Sequence, residues 1–135
     1  MLGVIQSIEV IQSIEAAADL NMDGYKVVTD AHTFQVLISN GQCCCESYGC
    51  IQSDDDLSRF VGAELREVNL TDVALNKTVV EQSGYYDGDC GGIQFVDFVT
   101  DRGTFQLAVY NSHNGYYGHP ILVAKDEEIL LNETL

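Results

Sequence analysis

The segment IQFVDFVTDRGTFQLAVYN, residues 93–111, has the strongest strand signal in the chain. Its two halves, residues 93–100 and 104–111, are rich in β-branched and aromatic side chains, and the short sequence Asp-Arg-Gly separates them. Two such runs around a glycine-bearing turn are typical of a β-hairpin. This hairpin predicts a fold built mainly from antiparallel strands.

A second segment is similar in sequence to this hairpin. VTDAHTFQVLISN, residues 28–40, matches VTDRGTFQLAVYN, residues 99–111, in its order of strand, short turn and strand. Both segments end in Asn before a loop that contains glycine. We expect two similar hairpins in one sheet, whose following loops leave from equivalent ends and face one pocket. Shared hairpin chemistry without a common origin is the alternative.

Further strands are expected on either side of these hairpins. Residues 4–9 and 10–15 are a perfect tandem repeat of VIQSIE, and a step of six residues keeps the alternation of a strand in phase. The second copy is predicted to be a strand and the first an extension at the terminus. The Asp-Gly pair in NMDG, residues 21–24, predicts a hairpin turn, and residues 64–71 and 121–124 are predicted strands.

Helical signals are short. Ser53 and Asp56 have the spacing of a capping box, an apolar face follows them, and Gly62 is suited to end the helix. Residues 72–82 favour neither helix nor strand, and residues 84–92 have the composition of a loop.

Together these elements predict a single domain over residues 1–135, in which residues 1–15 are a duplicated N-terminal extension. The predicted fold class is α+β, a mainly antiparallel sheet of about six strands with one or two short helices.

The chain is strongly acidic, with 21 Asp and Glu against 6 Lys and Arg, a formal net charge of −15. This charge argues against direct binding to nucleic acid, because phosphate contacts need clustered Lys and Arg, and against binding to anionic membranes. A well-solvated surface is one explanation of the charge. The other is an acidic face offered to a basic partner, as in a nucleic-acid mimic.

The cysteines predict free thiols and no metal. Their number is odd, five, and no signal peptide is recognisable, so we expect a reducing cytoplasm. No apolar run is long enough for a membrane span. Cys43, Cys44, Cys45 and Cys50 lack the second cysteine pair of a structural zinc site. The calcium-loop spacing of residues 19–30 is better explained by a hairpin.

No pattern of catalytic residues stands out. His32, His113 and His119 show no triad arrangement with Ser or Cys, and neither a phosphate loop nor a dinucleotide fingerprint is present. A Cys–His hydrolase stays open as an alternative, because such pairs meet in space and not in sequence. We therefore expect a binding protein that is not an enzyme and uses no cofactor.

The segment NGYYGH, residues 114–119, is the strongest candidate for ligand binding. Glycine and Asn-Gly allow unusual backbone angles, and paired tyrosines offer a stacking surface. A tight turn with one tyrosine in the core is the alternative. If the loops after the two hairpins meet, the ligand-binding residues are Gln42, Glu46, His113, Asn114, Tyr116 and Tyr117.

The order of three motifs resembles a family of small proteins from phages and prophages of Gram-positive bacteria and related hosts. The motifs are Cys-Cys-Glu at residues 44–46, a short acidic helix that ends in Phe-Val-Gly at residues 60–62, and Asn-Gly-Tyr-Tyr at residues 114–117. In that family a serine precedes the last motif, and here His113 takes its place. The resemblance covers roughly residues 24–124 and rests on motif order.

The resemblance brings no established activity, but its phage setting implies an accessory role against host defence, in the host cytoplasm. The leading hypothesis is sequestration of a small nucleotide-like immune signal without turnover. The alternative is an acidic protein-binding inhibitor or nucleic-acid mimic that blocks a host defence nuclease, of the anti-CRISPR type. The expected partner is accordingly a small nucleotide-like ligand or a basic host defence protein, and a homo-oligomer is compatible with either.

Overall fold

The computed structural model describes residues 2–15, 21–40, 47–54, 56–83, 85, 90–113 and 118–135, with backbone only for residues 13–15, 47, 90, 91 and 113. This part of the chain contains one α-helix, α1 (Lys77–Gln82), and one 3-10 turn (Ser58–Phe60). It also contains nine strands: β1 (Ile5–Glu15), β2 (Asn21–Thr29), β3 (Thr33–Ser39), β4 (Ser47–Gln52), β5 (Leu65–Thr71), β6 (Cys90–Thr100), β7 (Gly103–His113), β8 (Pro120–Lys125) and β9 (Glu128–Thr134).

The strands form two antiparallel sheets. One has the order β1-β2-β3-β8-β9 and the other β4-β7-β6-β5. The predicted mainly antiparallel architecture is therefore confirmed. The predicted number of about six strands is too low, because the described residues alone contain nine. None of the helices in the described residues is long and apolar enough to cross a membrane.

The core lies between the two sheets. Alternate residues of a strand point to the same face, and the inward residues of both central hairpins are buried. The rings of Phe34 and Phe98 meet at right angles across the core, with their centroids 6.0 Å apart. Phe98 and Phe105 stack at 5.0 Å within one sheet. The inward residues of β3 and β7 that belong to this core are Phe34, Val36, Ile38, Phe105, Leu107 and Val109.

The two similar hairpins lie in different sheets. β2 and β3 belong to the five-stranded sheet, whereas β6 and β7 belong to the four-stranded one. The prediction that both hairpins share one sheet is therefore wrong. They face each other across the core, where Phe34 of β3 packs against Phe98 of β6.

The turns of the two hairpins are built in the same way. The hydroxyl of Thr29 accepts the N–H groups of Ala31 at 3.1 Å and His32 at 2.8 Å. The acceptors within reach of its single proton are the carbonyl oxygens of Leu2 at 2.8 Å and His32 at 3.2 Å. The hydroxyl of Thr100 accepts the N–H of Arg102 at 3.0 Å and donates to the carbonyl of Gly103 at 2.7 Å. A threonine at the end of the first strand thus closes both turns.

The aspartates of the two turns also have matching contacts. The Asp30 carboxylate accepts the N–H of Val4 at 2.8 Å, and the Asp101 carboxylate accepts the N–H of Glu64 at 2.9 Å. Val4 and Glu64 in turn form an antiparallel bridge with each other. These paired contacts indicate that the chain contains two structural repeats, β1 to β4 and β5 to β8.

The fourth strand of each repeat crosses to the other sheet. β4 pairs with β7 of the second repeat, and β8 pairs with β3 of the first. Each sheet therefore combines three consecutive strands of one repeat with the fourth strand of the other. This exchange explains why the core needs both halves of the chain.

Two predictions near the N-terminus differ from the structure. Residues 21–24 form no turn, because they lie in β2 and pair with residues 37–39 and with β1. The first VIQSIE copy, predicted to be an extension, instead forms the first half of β1, which pairs with β2 along its length.

The capping-box spacing at Ser53 does not open a helix. The Ser53 hydroxyl accepts the N–H of Gln106 on β7 at 2.9 Å, so it is engaged by a neighbouring strand. Among the described residues before β5, the helical element that follows is the 3-10 turn at residues 58–60. The short helix α1 instead begins after Asn76, whose side chain accepts the N–H of Val79 at 3.4 Å.

Candidate functional site

Most of the ligand site predicted from the sequence lies outside the described residues. His113 is the last residue of β7, where its backbone pairs with Cys90 of β6. Cys43, Cys44 and Cys45 also lie outside the described residues. The predicted site residues outside the described part are Gln42, Glu46, Asn114, Tyr116 and Tyr117.

The strand ends that lead into those predicted loops lie close together. Tyr48 of β4 pairs through its backbone with Asn111 of β7, and its hydroxyl donates to the carbonyl of Asn40 at 3.2 Å. Asn40 and Asn111 are the matching residues that end the two repeated hairpin segments. Tyr48 therefore connects the two places from which the predicted loops leave.

His119 is a structural residue at the same end of the sandwich. Its ring is buried and stacks on Tyr48, with centroids 4.3 Å apart. Its Nδ1 lies 2.6 Å from the carbonyl oxygen of Ser39, so Nδ1 carries the proton and donates it. The sequence indicated neither this role nor that of Tyr48, because both contacts join residues far apart in the chain.

His32 is also structural. Its Nδ1 lies 2.6 Å from a carboxylate oxygen of Asp126, whose other oxygen accepts the N–H of Thr33 at 2.8 Å. The hydrogen bond from His32, followed by that from Thr33, lowers the pKa of Asp126 below its usual value. The contact joins the β2–β3 turn to the β8–β9 turn, where Asp126 has a φ of 54°.

The described residues contain a cleft of about 300 Å³ along the flank of the sandwich. Its apolar walls come from β1, from β2 and from the segment around the 3-10 turn. Glu9, Gln52, Asp56 and Ser58 add polar groups. The apolar residues that line it are Ile8, Val10, Tyr25, Leu57 and Val61.

This cleft forms where the core ends along β1. Ile8 packs against the core, but Val10, two residues further on the same face, is 63% exposed. Val10 pairs with Tyr25 of β2, which is buried. On the other wall, Val61 is 41% exposed. Apolar side chains thus line both walls without closing over the cleft.

The edge of β1 beside the cleft is hydrogen-bonded to residues 62–65 at its beginning and leaves this pairing after Ile5. At Ile5 this edge is paired, since the Ile5 N–H donates to Ala63 and the Gly62 N–H donates to Ile5, both at 2.8 Å. Gly62 has a φ of 91°, and Phe60 before it is buried in the core. The chain therefore turns away from β1 at this point. From Gln6 onward, no strand of the described residues pairs with this edge.

The electrostatic character of the cleft is acidic. Two of its nine lining residues, Glu9 and Asp56, are carboxylates, and none is Lys or Arg. Hydrogen bonds from the side chain and the N–H of Ser58 lower the pKa of Asp56. The Asp56 carboxylate is therefore ionised throughout the neutral range.

A shallower cleft of about 360 Å³ adjoins the first and shares Tyr25 and Gln52 with it. Burial raises the pKa of Tyr25 well above its usual range, and the neighbouring Cys50 raises it further. Burial and, to a smaller extent, the charge of Asp23 raise the pKa of Cys50, against a hydrogen bond from Tyr25 that lowers it. Both groups stay protonated at neutral pH, which disfavours nucleophilic chemistry at this thiol.

The described residues contain no group of three or more His, Cys, Asp or Glu side chains arranged to hold a metal ion. Cys50 is a free thiol. The predictions for Cys43, Cys44 and Cys45 remain predictions, because these residues lie outside the described part.

Sequence reasoning missed the flank cleft. Its residues come from four separate segments, and each looks like an ordinary strand or turn residue on its own. The alternation through Ile8 and Val10 does show which side chains share a face. It does not show that the core stops between them.

Comparison with known proteins identifies one family. A family model described as a domain of unknown function, DUF7448, matches residues 4–123, which include both copies of the hexamer and the described strands from β1 to most of β8. No curated protein and no solved structure matches the chain.

Proposed function

We propose that this chain, which belongs to the DUF7448 family of domains of unknown function, is a binding protein whose target is the basic surface of another protein. It binds without turnover and acts as an acidic inhibitor. The observation that carries this proposal is the net charge of −15, since the chain has 21 Asp and Glu against only 6 Lys and Arg.

Two of the three arginines make contacts that support the fold. The Arg102 guanidinium donates to the carbonyl oxygens of Arg59 and Val61, both at 3.0 Å. The Arg59 side chain lies 3.6 Å from the Asp54 carboxylate and also covers the ring of Phe60. These contacts hold the segment around the 3-10 turn in place.

Two of the lysines lie opposite acidic residues. Lys26 of β2 faces Glu9 of β1, and Lys125 of β8 faces Glu128 of β9. Cross-strand pairs of opposite charge attract each other, which makes these two lysines less favourable partners for an anionic ligand. A basic protein surface complements the remaining carboxylates. Electrostatic attraction between the two surfaces acts over distances of about one Debye length, beyond which salt screens it.

The partner class follows from this charge and from the resemblance to phage proteins. Proteins that bind nucleic acid carry basic surfaces that match phosphate. We therefore propose a host defence nuclease as the target, reached in the host cytoplasm, with the acidic chain taking the place of its nucleic acid.

The test is retention of host proteins on the immobilised chain, compared with a polyglutamate column of equal charge. We expect a nuclease to be retained by the chain alone, to be released steeply by salt, and to lose activity when the free chain is added. The proposal would be contradicted if both columns retained the same proteins, or if a retained nuclease kept its activity in the presence of the free chain.

A second candidate function is sequestration of a nucleotide-like ligand at the end of the sandwich. The observation that favours it is the contact of Tyr48 with both Asn40 and Asn111, which brings the starting points of the two predicted loops together. Loops at one end of a rigid sheet are common places for binding residues. Its test is the melting temperature with adenine and guanine nucleotides added, which a bound ligand raises. An unchanged melting temperature speaks against this candidate.

A further inference from the structure

We infer that the flank cleft, together with the edge of β1 that no described strand pairs with, is a docking site for an extended basic segment of the partner protein. The segment pairs with β1 as an added antiparallel strand and places apolar side chains in the cleft. This inference rests on the proposed function, because it states where the acidic chain holds its basic target.

The backbone of β1 supplies the first part of the argument. Residues 62–65 pair with residues 2–5 in the antiparallel sense, through the Val4–Glu64 bridge and the bonds of Ile5 to Gly62 and Ala63. The turn at Gly62 ends this pairing. A segment added from Ser7 to Ile11, beyond the register shift between Ile5 and Ser7, pairs in the same antiparallel sense along about 17 Å of strand, at roughly 3.3 Å per residue. Addition of a strand to an exposed edge is a recurrent mode of peptide recognition.

The side chains supply the second part. Val10 and Val61 are 63% and 41% exposed, and they face a cleft of about 300 Å³. An added strand presents every second side chain to this face. Apolar side chains at those positions bury Val10 and Val61 together with themselves.

Charge identifies the occupant. Asp56 and Glu9 line the cleft, Glu9 opposite Lys26 on the neighbouring strand, and none of the nine lining residues is Lys or Arg. A second copy of this chain brings a further net charge of −15, so pairing of β1 with itself is opposed by repulsion between the copies. A segment in which Lys or Arg alternates with apolar residues matches both the carboxylates and the apolar walls.

The test is binding of a fluorescent synthetic decapeptide of alternating Lys and Val, measured by anisotropy on the intact chain. Three comparison peptides separate the contributions of charge, of apolar side chains and of backbone hydrogen bonds to the affinity. A Glu–Val peptide reverses the charge, a Lys–Gly peptide removes the apolar side chains, and a Lys–Val peptide N-methylated at alternate residues cannot donate its backbone hydrogen bonds on one edge. We expect the Lys–Val peptide to bind most tightly and N-methylation to weaken it about tenfold or more.

Variants of the chain locate the site. Val10→Glu is expected to weaken the Lys–Val peptide about tenfold, because a charge replaces an apolar contact. Ile129→Glu is the matched control: Ile129 is 56% exposed and lies on β9, the other edge of the same sheet. It is expected to leave the affinity unchanged. Both side chains are exposed, and circular dichroism of each variant checks that it folds.

The outcomes separate this inference from the proposed function. Equal binding of the N-methylated and unmodified peptides, or equal effects of Val10→Glu and Ile129→Glu, overturns the docking site. A nuclease that is still retained and inhibited then leaves the proposed function standing. Peptide binding that depends on Val10, with no nuclease inhibited, supports the docking site and contradicts the proposed function.

Discussion

Replacement of Gly24 by alanine is expected to destabilise the protein severely. Gly24 lies inside β2 with a φ of 154°, opposite Leu37 of the central strand β3. An added Cβ would lie 1.9 Å from the carbonyl oxygen of Val36 and 2.9 Å from the Cα of Leu37. Both are backbone atoms that no side-chain rotation can move. β2 and β3 would therefore have to separate locally.

The magnitude follows from two contributions. Backbone strain at an unfavourable φ costs about 1–3 kcal/mol for a residue other than glycine. Separation of the strands also weakens neighbouring ladder hydrogen bonds, at about 1 kcal/mol each. We expect Gly24→Ala to lower the free energy of unfolding by about 3–5 kcal/mol. This is a large part of the total of about 5–15 kcal/mol that is typical of a domain.

Gly103→Ala is the matched control. Gly103 has a φ of 113°, but nothing lies within 4 Å of an added Cβ. This variant is expected to cost only the strain, about 1–3 kcal/mol. Urea unfolding followed by circular dichroism measures both. If residues 21–24 formed the hairpin turn that their Asp-Gly pair suggests, no strand would oppose Gly24, so equal losses in the two variants would refute the strand assignment.

Three further predictions concern the ionisable groups and the predicted ligand loop. Asp126→Asn should lower the melting temperature at pH values well above about 4, and this difference should shrink as the pH falls through the folded pKa of Asp126. The reason is that the folded pKa of Asp126 lies below its unfolded value of about 3.9. The stabilisation that the ionised carboxylate provides is therefore lost as the pH falls through the folded pKa. A difference in melting temperature between the variant and the natural chain that stays constant in acid would contradict this. Cys50, whose pKa is raised by burial, should react with iodoacetamide at pH 8 more slowly in the folded chain than in denaturant. Peptide mass spectrometry measures the two rates, and equal rates would contradict the burial of this thiol. Tyr116→Ala and Tyr117→Ala should each weaken a bound nucleotide by about 1–3 kcal/mol if they stack on its base, whereas early melting without specific loss of binding would place them in the core.

The parts of the fold that the sequence predicted are those with local causes. The turns at residues 30–32 and 101–102 depend on Thr29 and Thr100, and their flanking strands have clear alternation or continuous apolar runs. These hairpins are therefore confirmed. Their placement in separate sheets has no local cause, because it follows from the exchange of β4 and β8 between the repeats.

The wrong predictions have physical explanations. Asp23 and Gly24 form the usual pair for a hairpin turn, yet here Gly24 is required by the close approach of β3. Ser53 has the right spacing to cap a helix, but its hydroxyl is bound to Gln106 of β7. In both cases a contact with a distant strand overrides the local signal. The strand β9 was not predicted, because an acidic terminal segment gives little strand signal until β8 is beside it.

The candidate site was predicted least well. The sequence pointed to paired tyrosines and an Asn-Gly turn, residues that lie outside the described part. The flank cleft depends on where the core ends and on where Gly62 turns the chain, and neither is visible in a local pattern. Only the acidic character of the cleft could be expected from composition.

Native mass spectrometry of the chain recovered from infected cells tests the central claim most directly. The account predicts a complex whose added mass is that of a whole basic polypeptide, and whose abundance falls as the salt concentration of the preparation rises. The chain alone, or the chain with only a small molecule bound, would contradict it.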